Sequence, residues 1–138
     1  MLQLLRPELE RIHRHARESL PEECCGFLIG HEGEPRRVDE ARPARNVHPE
    51  GRAARYTIDP LETLRLDREL RGTDRAHLGF YHSHPGYPPV PSENDLRMAW
   101  PGYTYLIVAF EAAEPREARA WRLDPGGLGF VEEPVAVD

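Results

Sequence analysis

Two histidines one residue apart, His82 and His84, end an apolar run, and Ser92 and Asp95 follow a turn that contains Pro85, Pro88, Pro89 and Pro91. Two imidazoles and one carboxylate are the ligand set of a catalytic zinc, which keeps its fourth position for water. On a strand, residues i and i+2 face the same side, so His82 and His84 can aim at one point while Ser83 turns away. A proline-restricted turn can carry the next helix back over the strand end. Asp95, one turn into that helix, is then a third ligand, and Ser92 offers a hydroxyl from the same helical face. A hydrolase of this kind also needs a general base that is not a ligand. Glu22 and Glu23, just before the apolar run Cys25–Ile29, both qualify, and spacing does not choose between them. Each residue has a plainer structural role: Ser92 as an N-cap, Asp95 as a helix-dipole partner, the histidines as surface residues near prolines.

The surrounding pattern predicts the elements that must position this set. Pro7 to Leu20 has apolar residues at helical spacing, with Pro7 in the first turn and Glu8 and Glu10 at the favourable end of the dipole. His13 and His15 are two apart, so they cannot share a metal from one helix and read as surface or boundary residues. Cys25–Gly30 is a short, nearly continuous apolar strand, expected to be central. Arg36–Ala41 is a second strand, Pro43–Arg52 a loop, and Arg55–Ile58 has strand chemistry. Asp59-Pro60 opens a helix that Gly72 ends, with Leu61, Leu64, Leu66 and Leu70 as its apolar side. His77–His82 delivers the histidines, and Gly79 within it points to a close backbone approach. Ser92 to about Trp100 is a helix, Tyr103–Phe110 the strongest strand, Ala118–Leu123 a half-buried one, and Phe130-Val131 a brief pairing before a fraying tail. The result is an α/β fold of one domain over residues 1–138, a mixed sheet with helices on its faces.

Bulk properties exclude several classes. At 138 residues the chain can bury a sizeable core without staples. A net charge of -6 argues against general nucleic-acid binding. All 18 basic residues are arginine, which removes lysine Schiff-base chemistry. No apolar run is long enough to span a bilayer, and Met1–Pro7 is too short and too soon charged for a signal peptide, so a cytoplasmic protein is expected. The adjacent Cys24 and Cys25 face opposite sides of a strand and read as reduced packing residues.

Taken together, these residues resemble the JAMM (MPN+) metalloproteases, whose signature is an upstream glutamate, then H-S/T-H, seven residues, S, two residues, D. His82-Ser83-His84, Pro85–Pro91, Ser92 and Asp95 match it without a gap, and Glu23-Cys24-Cys25-Gly26-Phe27-Leu28-Ile29-Gly30 is similar to the family's E-x-x-G-x-L-x-G segment. The resemblance runs from about Pro21 to Phe110 and includes Tyr56–Pro60. It implies a curved mixed sheet flanked by helices, related in architecture to the cytidine deaminases. It also implies one zinc per chain on His82, His84 and Asp95, Glu23 as the base, and Ser92 as an oxyanion donor. The deaminase chemistry itself is not expected, because no P-C-x-x-C accompanies the histidines.

The implied activity is a zinc peptidase or isopeptidase, and the compact length is similar to the prokaryotic branch, whose members cleave after the C-terminal Gly-Gly of ubiquitin-like sulfur carriers. The expected partner is such a carrier protein, with neither nucleic acid nor a membrane, and a homodimer is compatible with the pattern. Asn46 and the Pro43–Arg55 loop are candidates to border the substrate groove, and the arginines there suit an acidic carrier surface. The alternatives are a non-catalytic MPN-type scaffold, which usually lacks one or more of these positions, and a DNA-repair-associated relative, which the acidic charge disfavours.

Overall fold

In a computed structural model covering residues 1–138, the chain runs β1 (Leu2–Leu4), α1 (Arg6–Ser19), β2 (Cys25–His31), β3 (Arg36–Ala44), α2 (Pro60–Leu70), β4 (Ala76–Pro85), α3 (Glu93–Met98), β5 (Thr104–Glu111), β6 (Glu114–Leu123), β7 (Phe130–Glu133) and β8 (Val135–Val137). All eight strands join one mixed sheet in the order β7-β6-β5-β4-β2-β3-β1-β8. β7 and β8 are at opposite edges, yet only Pro134 separates them in sequence. Laid flat, seven spacings of about 4.8 Å would hold those edges about 34 Å apart. The sheet therefore curls until its edges approach, and the Met1 ammonium, just before β1, donates to Glu133 Oε2 at the end of β7 at 3.3 Å across the closure.

The apolar pattern assigns the two faces. α1 sets Ile12 and Ala16 against Leu2, Leu4, Leu28, Val38, Leu106, Val108 and Phe110. On the other face α2 sets Leu66 and Leu70 against Phe27 and Ile29. β2 contributes to both cores, which is why its hydrophobicity is nearly continuous. Cys24 and Cys25 are free and buried as expected, and burial pushes the Cys24 thiol up to about 12.

β4 is the strand that organises the site. It pairs antiparallel with β2, Cys25 opposite His82, and parallel with β5, Gly79 beside Thr104. A side chain at Gly79 would overlap the Thr104 carbonyl oxygen, its Cβ lying 2.7 Å from the carbonyl carbon, so the close approach expected there is real.

Four expectations change. Arg55–Ile58 is not a strand, because its backbone groups are taken by a side chain and a loop partner. Asn46 Nδ2 donates to the Arg55 carbonyl at 2.9 Å, Asn46 Oδ1 accepts from the Thr57 N–H at 3.2 Å, and the Val47 N–H donates to the Thr57 carbonyl at 2.9 Å. Leu61 and Leu64 are 55% and 44% exposed. At about 100° per residue they lie about 140° and 160° round the helix from Leu66, so they share no face with Leu66 and Leu70. α3 stops at Met98 rather than Trp100, since the residue before Pro101 is driven out of helical geometry. The C-terminal tail does not fray: β8 pairs in parallel with β1, and both are strands the hydrophobic pattern alone does not announce at three residues each.

Two predictions follow from this geometry. Gly79→Ala forces β4 and β5 apart and is expected to destabilise the fold by about 3 kcal/mol. Gly51→Ala, at φ +69 with no atom near its side, is expected to cost about 1 kcal/mol; equal urea midpoints for the two would contradict the close approach. Asn46→Ala removes the four bonds its side chain makes to Glu23, His48, Arg55 and Thr57. Amide exchange in residues 46–58 is then expected to accelerate while β4 and β5 keep their protection.

Candidate metal centre

The i, i+2 geometry of β4 sends Phe80, His82 and His84 to the α2 side of the sheet, and the turn after Pro85 returns the chain over them. That turn is held at three points. The Gly86 N–H donates to the Phe110 carbonyl at 2.6 Å, His84 Nδ1 donates to the Pro88 carbonyl at 2.6 Å, and Trp121 Nε1 donates to the Pro89 carbonyl at 3.0 Å. Ser92 then caps α3 through a reciprocal pair: its Oγ accepts from the Asp95 N–H at 3.0 Å, and Asp95 Oδ2 accepts from the Ser92 N–H at 2.9 Å.

The outcome is a buried cluster of His82, His84 and Asp95 able to hold a metal ion. His82 Nε2 is 3.1 Å from His84 Nε2 and 3.3 Å from Asp95 Oδ2, and His84 Nε2 is 3.4 Å from the same oxygen. Because His84 Nδ1 carries the proton given to Pro88, its Nε2 presents a lone pair to the cluster. His82 Nδ1 is buried without a partner. Burial alone would raise the Asp95 carboxyl, but the His82 charge and the bonds from His82, His84 and the Ser92 backbone hold it far below the usual carboxylate range.

Glu23 sits at the head of β2, 2% exposed. Its N–H donates to the Arg52 carbonyl at 2.7 Å, and its own carbonyl accepts from Asn46 Nδ2 at 3.1 Å. Glu23 Oε2 accepts from the Tyr87 hydroxyl, and Oε1 is buried with no partner. Burial pushes its carboxyl up, against the charges of His82 and His84 and the Tyr87 bond. Glu22, the other acidic candidate, is engaged with Arg52 Nε at 2.9 Å and takes no part in the cluster. Ser92 is half-buried beside Asp95; its oxygen is used as a helix cap, which leaves its hydrogen free to donate.

His13 and His15 remain apart from the cluster, as their spacing implied. His13 packs on Phe110, and His15 Nδ1 bonds the Tyr81 hydroxyl at 2.7 Å. Asn46, expected only to border a groove, ties the 46–57 loop to the Glu23 backbone. Three residues take places at the site that the sequence alone does not assign them. Tyr56 stacks on His82 at 4.5 Å, Tyr87 packs on His84 at 4.5 Å while bonding Glu23, and Trp121 anchors the turn from β6. Tyr87 was visible as an aromatic inside the proline-rich turn. Tyr56 and Trp121 carry no spacing signal, since both reach the site through tertiary contacts.

The comparisons agree with this geometry. A family model described as prokaryotic homologs of the JAB domain matches residues 5–124. A desampylase from Haloferax volcanii is 42% identical over 134 residues, 94% of this chain and 91% of that protein. A CysO-cysteine peptidase from Mycobacterium tuberculosis is 34% identical over 128 residues, 89% of this chain and 82% of that protein. The solution structure of a protein from Desulfitobacterium hafniense superposes with a TM-score of 0.85 at 31% identity, covering 100% of this chain and 93% of that one. With a curved mixed sheet, a His-His-Asp cluster and this match over most of its length, the chain is a member of the prokaryotic JAB-domain family.

Proposed function

We propose that this chain is a zinc-dependent peptidase that hydrolyses the bond after the C-terminal Gly-Gly of a ubiquitin-like or sulfur-carrier protein conjugate. Residues 1–138 act as one catalytic domain, in the cytoplasm. The observation that carries the reading is the spacing of the three donor atoms, 3.1, 3.3 and 3.4 Å, beside a buried carboxylate with one free oxygen. A tetrahedral zinc with bonds of about 2.0–2.1 Å needs its ligand atoms about 3.3–3.4 Å apart, so the donor set fits the ion. The fixed His84 tautomer and the Asp95 carboxylate supply the lone pairs it requires.

His82, His84 and Asp95 would hold the ion. When bound, zinc supplies a polarised water at neutral pH and positive charge beside the scissile carbonyl. Glu23 Oε1, buried without a partner, would take the proton of the attacking water and then hand it to the leaving amine. Tyr87 holds the other carboxylate oxygen in place during that exchange. Ser92 Oγ, whose hydrogen is free, donates to the carbonyl oxygen as charge develops on it.

On this reading the constant part of the substrate is the acyl side, a tail ending in Gly-Gly, and the attached amine varies. The relatives' names point the same way, one to a CysO-cysteine peptidase and another to a protease that cleaves TtuB-protein conjugates. Arg45 and Arg55 are exposed on the loop that Asn46 ties to Glu23 and suit an acidic carrier surface.

Asp95→Ala is expected to lose the zinc, about one ion per chain in the parent by elemental analysis, while Ser92 still caps α3 through the backbone N–H of residue 95. Full retention of metal would remove Asp95 from the ligand set. Glu23→Gln is expected to fold and bind zinc but to cleave a Gly-Gly-ended carrier extended by cysteine at least about 100-fold more slowly, read by mass. Parent-like cleavage would show that the base lies elsewhere, and no cleavage by the parent itself beside an active control would favour a binding scaffold.

A further inference from the structure

Next to the donor cluster, on the same face of the sheet, lies an open cavity of about 520 Å³ between α2 and the end of α3. Its volume is in the range of ligand sites, about 300–1,000 Å³. The lining is almost wholly apolar and aromatic, with no charged side chain, and includes Tyr56, Phe80, Met98, Trp100, Tyr103 and Tyr105. Phe80 stacks on Tyr105 at 5.6 Å and meets Tyr103 at 5.2 Å, which makes an aromatic floor. The Tyr105 hydroxyl accepts from the Trp100 N–H at 2.8 Å and fixes the rim, where Met98 and Trp100 stand 57% and 67% exposed.

We infer that this cavity is the specificity pocket for a bulky apolar side chain on the residue immediately before the substrate's Gly-Gly. The inference rests on the peptidase reading above for its substrate, and on geometry for its location. The cavity adjoins the cluster at Tyr56, which lines it and also stacks on His82. Phe80 is two residues before His82 on the same face of β4, a displacement of about 7 Å at about 3.3 Å per residue. An extended tail whose last carbonyl lies at the cluster covers the same distance in two residues. The two glycines bridge it, and the first side chain the substrate offers arrives over the Phe80–Tyr105 floor. An acidic or basic side chain there would lose its water without gaining a partner, because the lining presents no charge.

The pocket is tested with carrier tails ending Leu-Gly-Gly, Ala-Gly-Gly or Asp-Gly-Gly, each extended by cysteine. With the zinc-loaded parent, kcat/KM is expected to favour Leu over Ala by about tenfold or more and to be lowest for Asp. Thr63→Trp, which places a ring in the cavity from α2, is expected to abolish the Leu advantage over Ala. A readout independent of hydrolysis uses the metal-free protein and the free tails: Leu-Gly-Gly should shift Trp100 emission to shorter wavelength, Asp-Gly-Gly should not, and Trp100→Phe should lose the shift. Equal kcat/KM for the three tails, or a Leu advantage that survives Thr63→Trp, overturns the pocket while leaving the peptidase reading intact. Selective binding of the Leu tail without cleavage of any extended tail supports the pocket and sinks the peptidase reading instead.

Discussion

The pairing of β2 with β4 is the constraint on which the rest of the site depends. It sets Cys25 opposite His82 and is reinforced just beyond the ladder, where the Ser83 N–H donates to the Cys24 carbonyl at 3.2 Å and the Cys24 N–H donates to Ser83 Oγ at 2.8 Å. A slip of one residue would turn His82 and His84 into the α1 core and bring Ser83 to the site face. It would also shift Glu23 relative to the histidines, since Glu23 lies two residues before Cys25, the first residue of β2. Gly26 and Gly79 guard this register from either side. A Cβ at Gly26 would overlap the Tyr81 ring, and one at Gly79 would overlap β5. The serine between the histidines is thus a structural clamp, facing away from the cluster as strand geometry requires.

Polar groups are concentrated where the register puts them. Glu23, His82, His84 and Asp95 are all buried within one small region, and burying such groups is costly unless they are paired. Asp95 is well compensated, by two imidazoles and its own helix N-terminus. Glu23 Oε1 and His82 Nδ1 are not compensated, and both belong to the cluster. The buried Arg36, by contrast, satisfies its guanidinium with Glu32, Leu78, Thr104 and Gly102. Buried atoms without a partner also occur at His13 Nε2, Glu62 Oε2 and His77 Nδ1, so what marks the site is the convergence of Glu23 Oε1 and His82 Nδ1 on one donor set rather than the missing bonds alone.

Much of this was legible in the chain because the decisive signals are local. The i, i+2 histidines, the serine three residues before the aspartate and the proline-rich turn all act within fourteen consecutive residues, His82 to Asp95. Glu23 needed the resemblance, since nothing in its own neighbourhood distinguishes it from Glu22; in the fold, Glu22 faces Arg52 and Glu23 faces the cluster. What stayed hidden is long-range. β1 and β8 are three residues each, too short for any period to register, and they exist because curling the sheet brings residues 2–4 and 135–137 together. Arg55–Ile58 has strand composition and lacks a strand because Asn46 takes the bonds a neighbour would have made. Leu61 and Leu64 are a failure of counting by composition, since leucines on one helix share a face only at spacings of three or four.

The turn between the histidines and Asp95 shows why a site of this kind needs the whole sheet. Its four prolines limit the turn but do not aim it. Aim comes from three hydrogen bonds, to β4 at His84, to β5 at Phe110 and to β6 at Trp121. The position of Asp95 Oδ2 relative to two imidazoles therefore depends on the relative placement of three strands, the outermost of which contributes nothing else to the cluster. That placement depends in turn on the sheet's curl, which the link through Pro134 enforces from the far edges. One of the three bonds also sets the histidine tautomer, so the same contact that locates the turn decides which nitrogen of His84 is available. A small chain can in this way bring a three-residue donor set together using backbone carbonyls as its reference points, with His84 Nδ1 spent on the turn and its Nε2 left facing the other donors.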